Sequence, residues 1–218
     1  MEKYLLDKQL PNITSQKFIA IPKIIQEDKW IINTDVKHFF FEDVALIKFD
    51  IPMQFNDQIN KICIPMASKF KIHKDGPKTK SWYGKILDFA GWGKTNNEEK
   101  MSPILQHVNM KIMRHEQCFR NFHSIDPKPN NWKDLKKKGF CLKGDHNEGT
   151  CKGDSGGAAV WKDDRNNKAY VIGIASEGNE PCDAPMVPSK FSSIPGKVAK
   201  WIKKIAKKDL GGCFGGRS

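Results

Sequence analysis

Short apolar runs, each of strand length and each closed by polar or turn residues, recur along this chain and constrain its fold more than any other feature. They include Phe18 to Ile25, Val44 to Phe49, Gly84 to Ala90, Val108 to Met113, Ala158 to Trp161 and Tyr170 to Ala175. Many short strands separated by turns build a sandwich or a barrel. Only one stretch has a convincing helical period: Val198, Trp201, Ile202 and Ile205 share a face, with lysines on the other side. Pro195 before it and Gly211-Gly212 after it bound a helix of about three to four turns. The sequence therefore predicts an all-β protein ending in an amphipathic helix. Such a basic helix could lie on a membrane, but packing against a β-domain gives the same pattern and is the expectation here. No apolar run approaches the roughly 18 residues of a membrane span, and Met1 to Gln9 lacks the apolar stretch of a signal peptide.

Six cysteines stand at 63, 118, 141, 151, 182 and 213, with no C-x-x-C pair. An even, dispersed set favours disulfides and an oxidising compartment. A zinc reading of His115 with Cys118 and Cys141 with His146 has only a loose spacing behind it, so no metal is expected. Asn12-Ile13-Thr14 is a glycosylation pattern permissive of secretion. The net charge of +12 suits a polyanion such as heparin or nucleic acid. The excess is mostly lysine, clustered at Lys136 to Lys138 and from Lys200 to Lys208, and a solvated lysine face explains it equally simply. Ser68 to Ser81, lysine-rich around Gly76-Pro77, reads as a linker between two halves.

The richest chemistry lies in Gly149-Thr150-Cys151-Lys152-Gly153-Asp154-Ser155-Gly156-Gly157. Glycines on both sides of a serine let backbone approach a substrate closely and turn a pair of N–H groups toward a developing oxyanion. The candidate donors are the amides of Gly153 and Ser155. A lone G-x-S-x-G could be an incidental turn, and the longer string is far more specific.

With that string, the chain resembles the trypsin and chymotrypsin family of serine proteases. Four further segments carry the resemblance, which runs from about Gln16 to Lys208. Glu42-Asp43-Val44-Ala45-Leu46-Ile47-Lys48 is similar to the family's Asp-bearing strand start, and Ile62-Cys63-Ile64-Pro65 to its entry into the interdomain linker. Phe89-Ala90-Gly91-Trp92-Gly93 is similar to the Gly-Trp-Gly turn. Val171 to Gly178, followed by Cys182, is similar to the strand walling the substrate cleft. The resemblance implies a double six-stranded β-barrel of the chymotrypsin type, here with an incomplete first barrel and a C-terminal amphipathic helix. Its divisions would be 1–62 for the partial first barrel, 63–80 for the linker, 81–193 for the second barrel, 194–209 for the helix and 210–218 for a tail.

Carried over by resemblance, Ser155 is the nucleophile, Asp43 the carboxylate that orients the base, and Asp154 the acid that pairs with a processed N-terminal ammonium. The histidine base has no match. In the family template it precedes the Asp by about 45 residues, which falls before Met1. None of His38, His73, His107, His115, His123 and His146 stands in the family's Ala-Ala-His-Cys context, and only His38 is upstream of Asp43. The template separates Asp from Ser by about 93 residues, so about 19 are extra here, expected in the linker and between Asn121 and Lys138. Resemblance also pairs Cys118 with Cys141 and Cys151 with Cys182, leaves Cys63 and Cys213 free or joined to each other, and puts Leu87 and Trp161 where the family often has a third bridge. Gly149 matches the base of the specificity pocket, with Ser176, Gly178 and Ser189 on its walls, so a neutral pocket for apolar or aromatic residues is implied. Glu177 departs from the family, which nearly always has Trp there.

Three functions follow as expectations. The first is a secreted serine endopeptidase acting on peptides or proteins, without a cofactor, of which this chain would be a C-terminal portion, inactive alone and partnered by its N-terminal segment. The second is a noncatalytic homologue using the fold for binding. The third is a basic polyanion-binding protein.

Overall fold

The computed structural model describes residues 30–32, 44–47, 56, 60–65, 82–96, 100–123, 139–145, 148–165, 167–177, 182, 187–206 and 214–215. Ten strands and two helices are drawn from them. In chain order they are β1 (Trp30–Ile32), β2 (Ala45–Ile47), β3 (Ile64–Pro65), β4 (Ile86–Gly91), β5 (Gln106–Ile112), α1 (His115–His123), β6 (Gly139–Gly144), β7 (Ala158–Asp163), β8 (Lys168–Glu177), β9 (Ser189–Ser193), α2 (Lys197–Ala206) and β10 (Phe214–Gly215).

Six of the strands close into a barrel in the order β4-β5-β6-β9-β8-β7. Alternation along each strand fills its interior: Leu87 and Phe89 from β4, Met110 and Ile112 from β5, Phe140 and Leu142 from β6, Ile172 from β8 and Phe191 from β9 belong to one buried cluster. The rings are mutually packed, with Phe140 stacked on Phe191 at 5.8 Å and Phe89 edge-on to Phe191 at 5.8 Å. Gly173 of β8 makes room for this stack, since a Cβ there would fall 2.6 Å from the Phe140 ring. Leu87 and Trp161 pack in the same cluster, so apolar contact joins β4 to β7 where the resemblance leaves out a bridge.

Where the barrel's outer face is also buried, something covers it. Cys141 points away from the interior into a small cluster with Met113 and Cys118 beneath α1. Val171 likewise points outward, toward α2. The helix buries Val198, Ala199 and Ile202 and exposes Lys197, Lys200, Lys203 and Lys204. Lys203 and Lys204 sit in its last turn, where cations complement the helix dipole. Val44 and Ile64 join this outer cluster, together with Val171 of β8 and the packed face of α2.

The connector before the barrel runs alongside β8. Cys63 N–H donates to Ala169 O at 3.0 Å, and Val171 N–H donates to Cys63 O at 3.1 Å. On its other side β3 pairs in parallel with β10, Phe214 opposite Ile64. β1 and β2 form an antiparallel pair with Trp30 opposite Ile47. The chain is mostly β around a closed six-stranded barrel, the chymotrypsin-type all-β fold.

The expectation of a single helix is corrected, because α1 is a second one. Its packed side is made by His115, Cys118 and Phe122, too few apolar residues to read as a stripe. The disulfide to β6 supplies the anchoring that an apolar stripe supplies in α2. Within the segment set apart as a tail, residues 214–215 form the short strand β10. The strand expected from Phe18 to Ile25, and the linker from 68 to 81, lie outside the described residues.

Candidate active site

The turn that carries Ser155 lies between β6 and β7 and is fastened to three other parts of the barrel. Gly156 N–H donates to Ala175 O and Ala175 N–H to Gly157 O, both at 2.8 Å, which tie the turn to β8. Lys94 N–H donates to Lys152 O at 2.9 Å, which ties it to the segment after β4. Thr150 N–H donates to the hydroxyl of Ser189 at 2.8 Å, which ties it to the start of β9. Ser189, with 1 % of its surface exposed, thus braces the Ser155 loop from the start of β9. Cys151 is joined to Cys182, and Cys118 to Cys141.

Gly153 has φ +98°, in the left-handed region where a side chain is strained. With that residue in this conformation, Ser155 stands exposed beyond it. Among the described residues no acceptor in the chain takes the N–H groups of Gly153 or Ser155, while those of Asp154, Gly156 and Gly157 are committed to carbonyls. Two N–H groups without an internal partner beside an exposed hydroxyl form a place where an anionic oxygen could be stabilised.

Asp154 turns the other way, into the protein. Its Oδ1 accepts from Gly93 N–H and its Oδ2 from Cys151 N–H, each at 2.9 Å. Burial pushes the carboxyl above the usual carboxylate value, and these two N–H groups pull it back. The carboxylate also explains the Gly-Trp-Gly turn physically. A Cβ on Gly91 or on Gly93 would overlap the Asp154 carboxyl group, so both positions must lack a side chain for the acid to fit. A cavity of about 390 Å³ adjoins this carboxyl, lined by Gly91, Gly93, Gln106, His107, Gly149 and Asp154 among others.

The remaining candidates divide between described and undescribed residues. Gly149 lines the cavity beside Asp154, and Ser176 is half-buried near the end of β8. Glu177 is the last residue of β8, opposite Lys190. Asp43, Gly178, His38, His73 and His146 lie outside the described residues. Val44, next to Asp43, is buried against the α2 cluster. Two described histidines have other surroundings. His107 Nε2 lies 3.5 Å from Asp88 Oδ1, and His115 is buried edge-on to Tyr83.

One contact at the site had no counterpart in the sequence reading. The loop before β5 is pinned by Ser102, whose N–H donates to Gly93 O at 3.3 Å and whose hydroxyl donates to Ile104 O at 2.6 Å. This sets the Met101 side chain on the face of Gly153. Ser102-Pro103 is a turn-forming dipeptide, which signals the bend but not what it carries.

A family model described as Trypsin matches residues 7–202. Among curated proteins the chain is 28% identical over 184 residues to the CLIP domain-containing serine protease HP8 of Bombyx mori, covering 84% of this chain and 45% of that protein. It is 26% identical to the clotting factor G beta subunit of Tachypleus tridentatus, over 83% of this chain and 55% of that one. With submandibular glandular kallikrein-9 of Rattus norvegicus it shares 30% identity over 62% of this chain and 47% of that protein. The chain spans about half the length of the curated relatives it matches. With the family model covering most of its length, on a closed barrel that presents the glycine-flanked serine, the chain belongs to the trypsin family of serine-type peptidases.

Proposed function

We propose that this chain carries the nucleophile and oxyanion site of a secreted serine endopeptidase that hydrolyses peptide bonds in peptides or proteins. The observation that supports this reading best is the pair of N–H groups on Gly153 and Ser155, without acceptors among the described residues and beside an exposed hydroxyl. Ser155 Oγ attacks the substrate carbonyl carbon, the carbonyl oxygen becomes an oxyanion held by the two N–H groups, and the amine leaves with a proton. Water then releases the acyl group. Asp43 orients a histidine base in this scheme, a role for which none of the six histidines of this sequence stands in the family's context. Asp154 is the acid for an incoming ammonium, with the adjoining cavity as its approach. The neutral residues at Gly149, Ser176, Gly178 and Ser189 suit an apolar or aromatic substrate side chain. Two disulfides fit a secreted protein.

A second reading has its own support. His107 and His115, the described histidines with contacts, engage Asp88 and Tyr83, and Glu177 stands at the cleft wall, which suits a noncatalytic homologue that binds through the fold.

Fluorophosphonate labelling of the 218-residue chain, followed by peptide mapping, separates them. Without its base the serine retains only roughly a thousand- to ten-thousand-fold advantage over water. Labelling at Ser155 that is slow but lost in Ser155→Ala supports the endopeptidase site. Complete absence of labelling under forcing probe concentrations supports the binding homologue.

A further inference from the structure

Met101 is an exposed apolar residue in contact with the backbone that surrounds the nucleophile, and its position is fixed rather than incidental. Its surface is 42 % exposed. Ser102, the next residue, is buried and held to Gly93 O. Gly93 is in turn bonded to the Asp154 carboxylate and has its Cα 3.2 Å from the point where a Gly153 Cβ would lie. The Met101 thioether occupies the same face: that Cβ would meet Met101 Sδ and come within 2.7 Å of Met101 Cε. An exposed residue therefore rests its thioether directly on the left-handed glycine that precedes Asp154 and Ser155.

We propose that Met101 is a reversible oxidation site that closes this turn to an oxyanion. A peroxide transfers one oxygen to the thioether: an S–O bond forms, the O–O bond breaks, the sulfur is oxidised by two electrons and the peroxide leaves as water. The product exchanges an apolar sulfur for a polar, chiral sulfoxide with a strong acceptor oxygen. Beside Gly153 that oxygen has a ready donor, because the N–H groups of Gly153 and Ser155 have no acceptor among the described residues. A sulfoxide oxygen bonded there takes the place of a developing oxyanion. No described cysteine is free to intercept the oxidant. Met110 and Met113 lie in the core, 0 % and 6 % exposed, and serve as internal references. The proposal rests on the reading of Gly153 and Ser155 as oxyanion donors, and its test does not depend on turnover.

The experiment treats the whole chain with hydrogen peroxide, maps sulfoxides by peptide mass spectrometry, and follows amide hydrogen exchange across residues 152–157. Met101 is expected to oxidise at least about tenfold faster than Met110 and Met113. After oxidation, exchange in that segment is expected to slow by about threefold or more and to recover with methionine sulfoxide reductase. Met101→Leu removes the response to peroxide, and Met101→Gln, which carries an amide oxygen in place of the sulfoxide, slows exchange without peroxide. Oxidation of Met101 no faster than of Met110, or exchange unchanged or faster after oxidation, overturns the proposal. Failure of Ser155 to label with a fluorophosphonate counts against the peptidase reading and leaves these two readouts intact.

Discussion

The barrel from β4 to β9 and the ribbons that flank it are built from similar strands and held by different physics. In the barrel every strand has two neighbours, so its backbone groups are paired on both edges and its inward side chains share one core. Among the described residues β1 with β2, and β3 with β10, are two-stranded pairs, which on their own are marginal in water. They gain stability by leaning on the barrel: Val44 and Ile64 bury against α2 and β8, and Cys63 bonds to the backbone of β8. Closure makes one region self-sufficient and attachment makes the other dependent.

The sharpest way to break this comparison is to excavate both regions. Phe140→Ala empties the centre of the barrel and is expected to cost about 3–5 kcal/mol, measured by urea denaturation. Val44→Ala removes two methyl groups from the outer cluster and is expected to cost about 1–2 kcal/mol. Equal losses would mean that the ribbons carry as much of the fold as the barrel.

The next largest effect tests whether α1 is held by its disulfide. Replacing Cys118 and Cys141 together by Ala is expected to cost about 2–4 kcal/mol and to raise amide exchange in residues 115–123 selectively. Unchanged protection there would show that Phe122 and Met113 suffice to hold the helix.

Asp154 tests a seam within the barrel, since it is a half-buried acid that joins the turn after β4 to the Ser155 loop. Its folded-state pKa is raised by burial, so the folded protein binds this proton more tightly than the unfolded chain does. The contribution is fully present below the unfolded value and is lost as pH rises through the folded one. Stability should therefore fall over that window, and Asp154→Asn should remove this part of the slope, with a change within about 1 kcal/mol at neutral pH. A slope that survives in the variant would assign it to other carboxylates.

The smallest effect concerns connectivity. Cys63 is disulfide-bonded, Phe214 stands opposite Ile64, and the other described cysteines pair with one another. Non-reducing peptide mapping is expected to join Cys63 to Cys213, and loss of this bridge to loosen β3 and leave barrel exchange unchanged. Cys63 joined to Cys151 or Cys182 would break the assignment.

Several features were legible in the residues because they are written locally. The runs at Val108, Ala158 and Tyr170 carry strand length and alternation, α2 carries a full apolar stripe, and the Gly149 to Gly157 string carries the backbone freedom that a nucleophile turn requires. α1 was hidden because its stabilising contact is a bond to β6, more than twenty residues away. β10 was hidden because two residues gain strand geometry only from a partner.

The family and the all-β class were written in the residues, since each rests on residue types at short spacing. Only the tertiary structure decided what those residues meet. That Gly91 and Gly93 admit the Asp154 carboxyl, that Ser189 braces Thr150, and that Met101 lies on Gly153 are contacts between residues 39 to 63 apart in the chain. Such contacts arise when barrel closure brings turns together at one end, and no local pattern records which turn will face which.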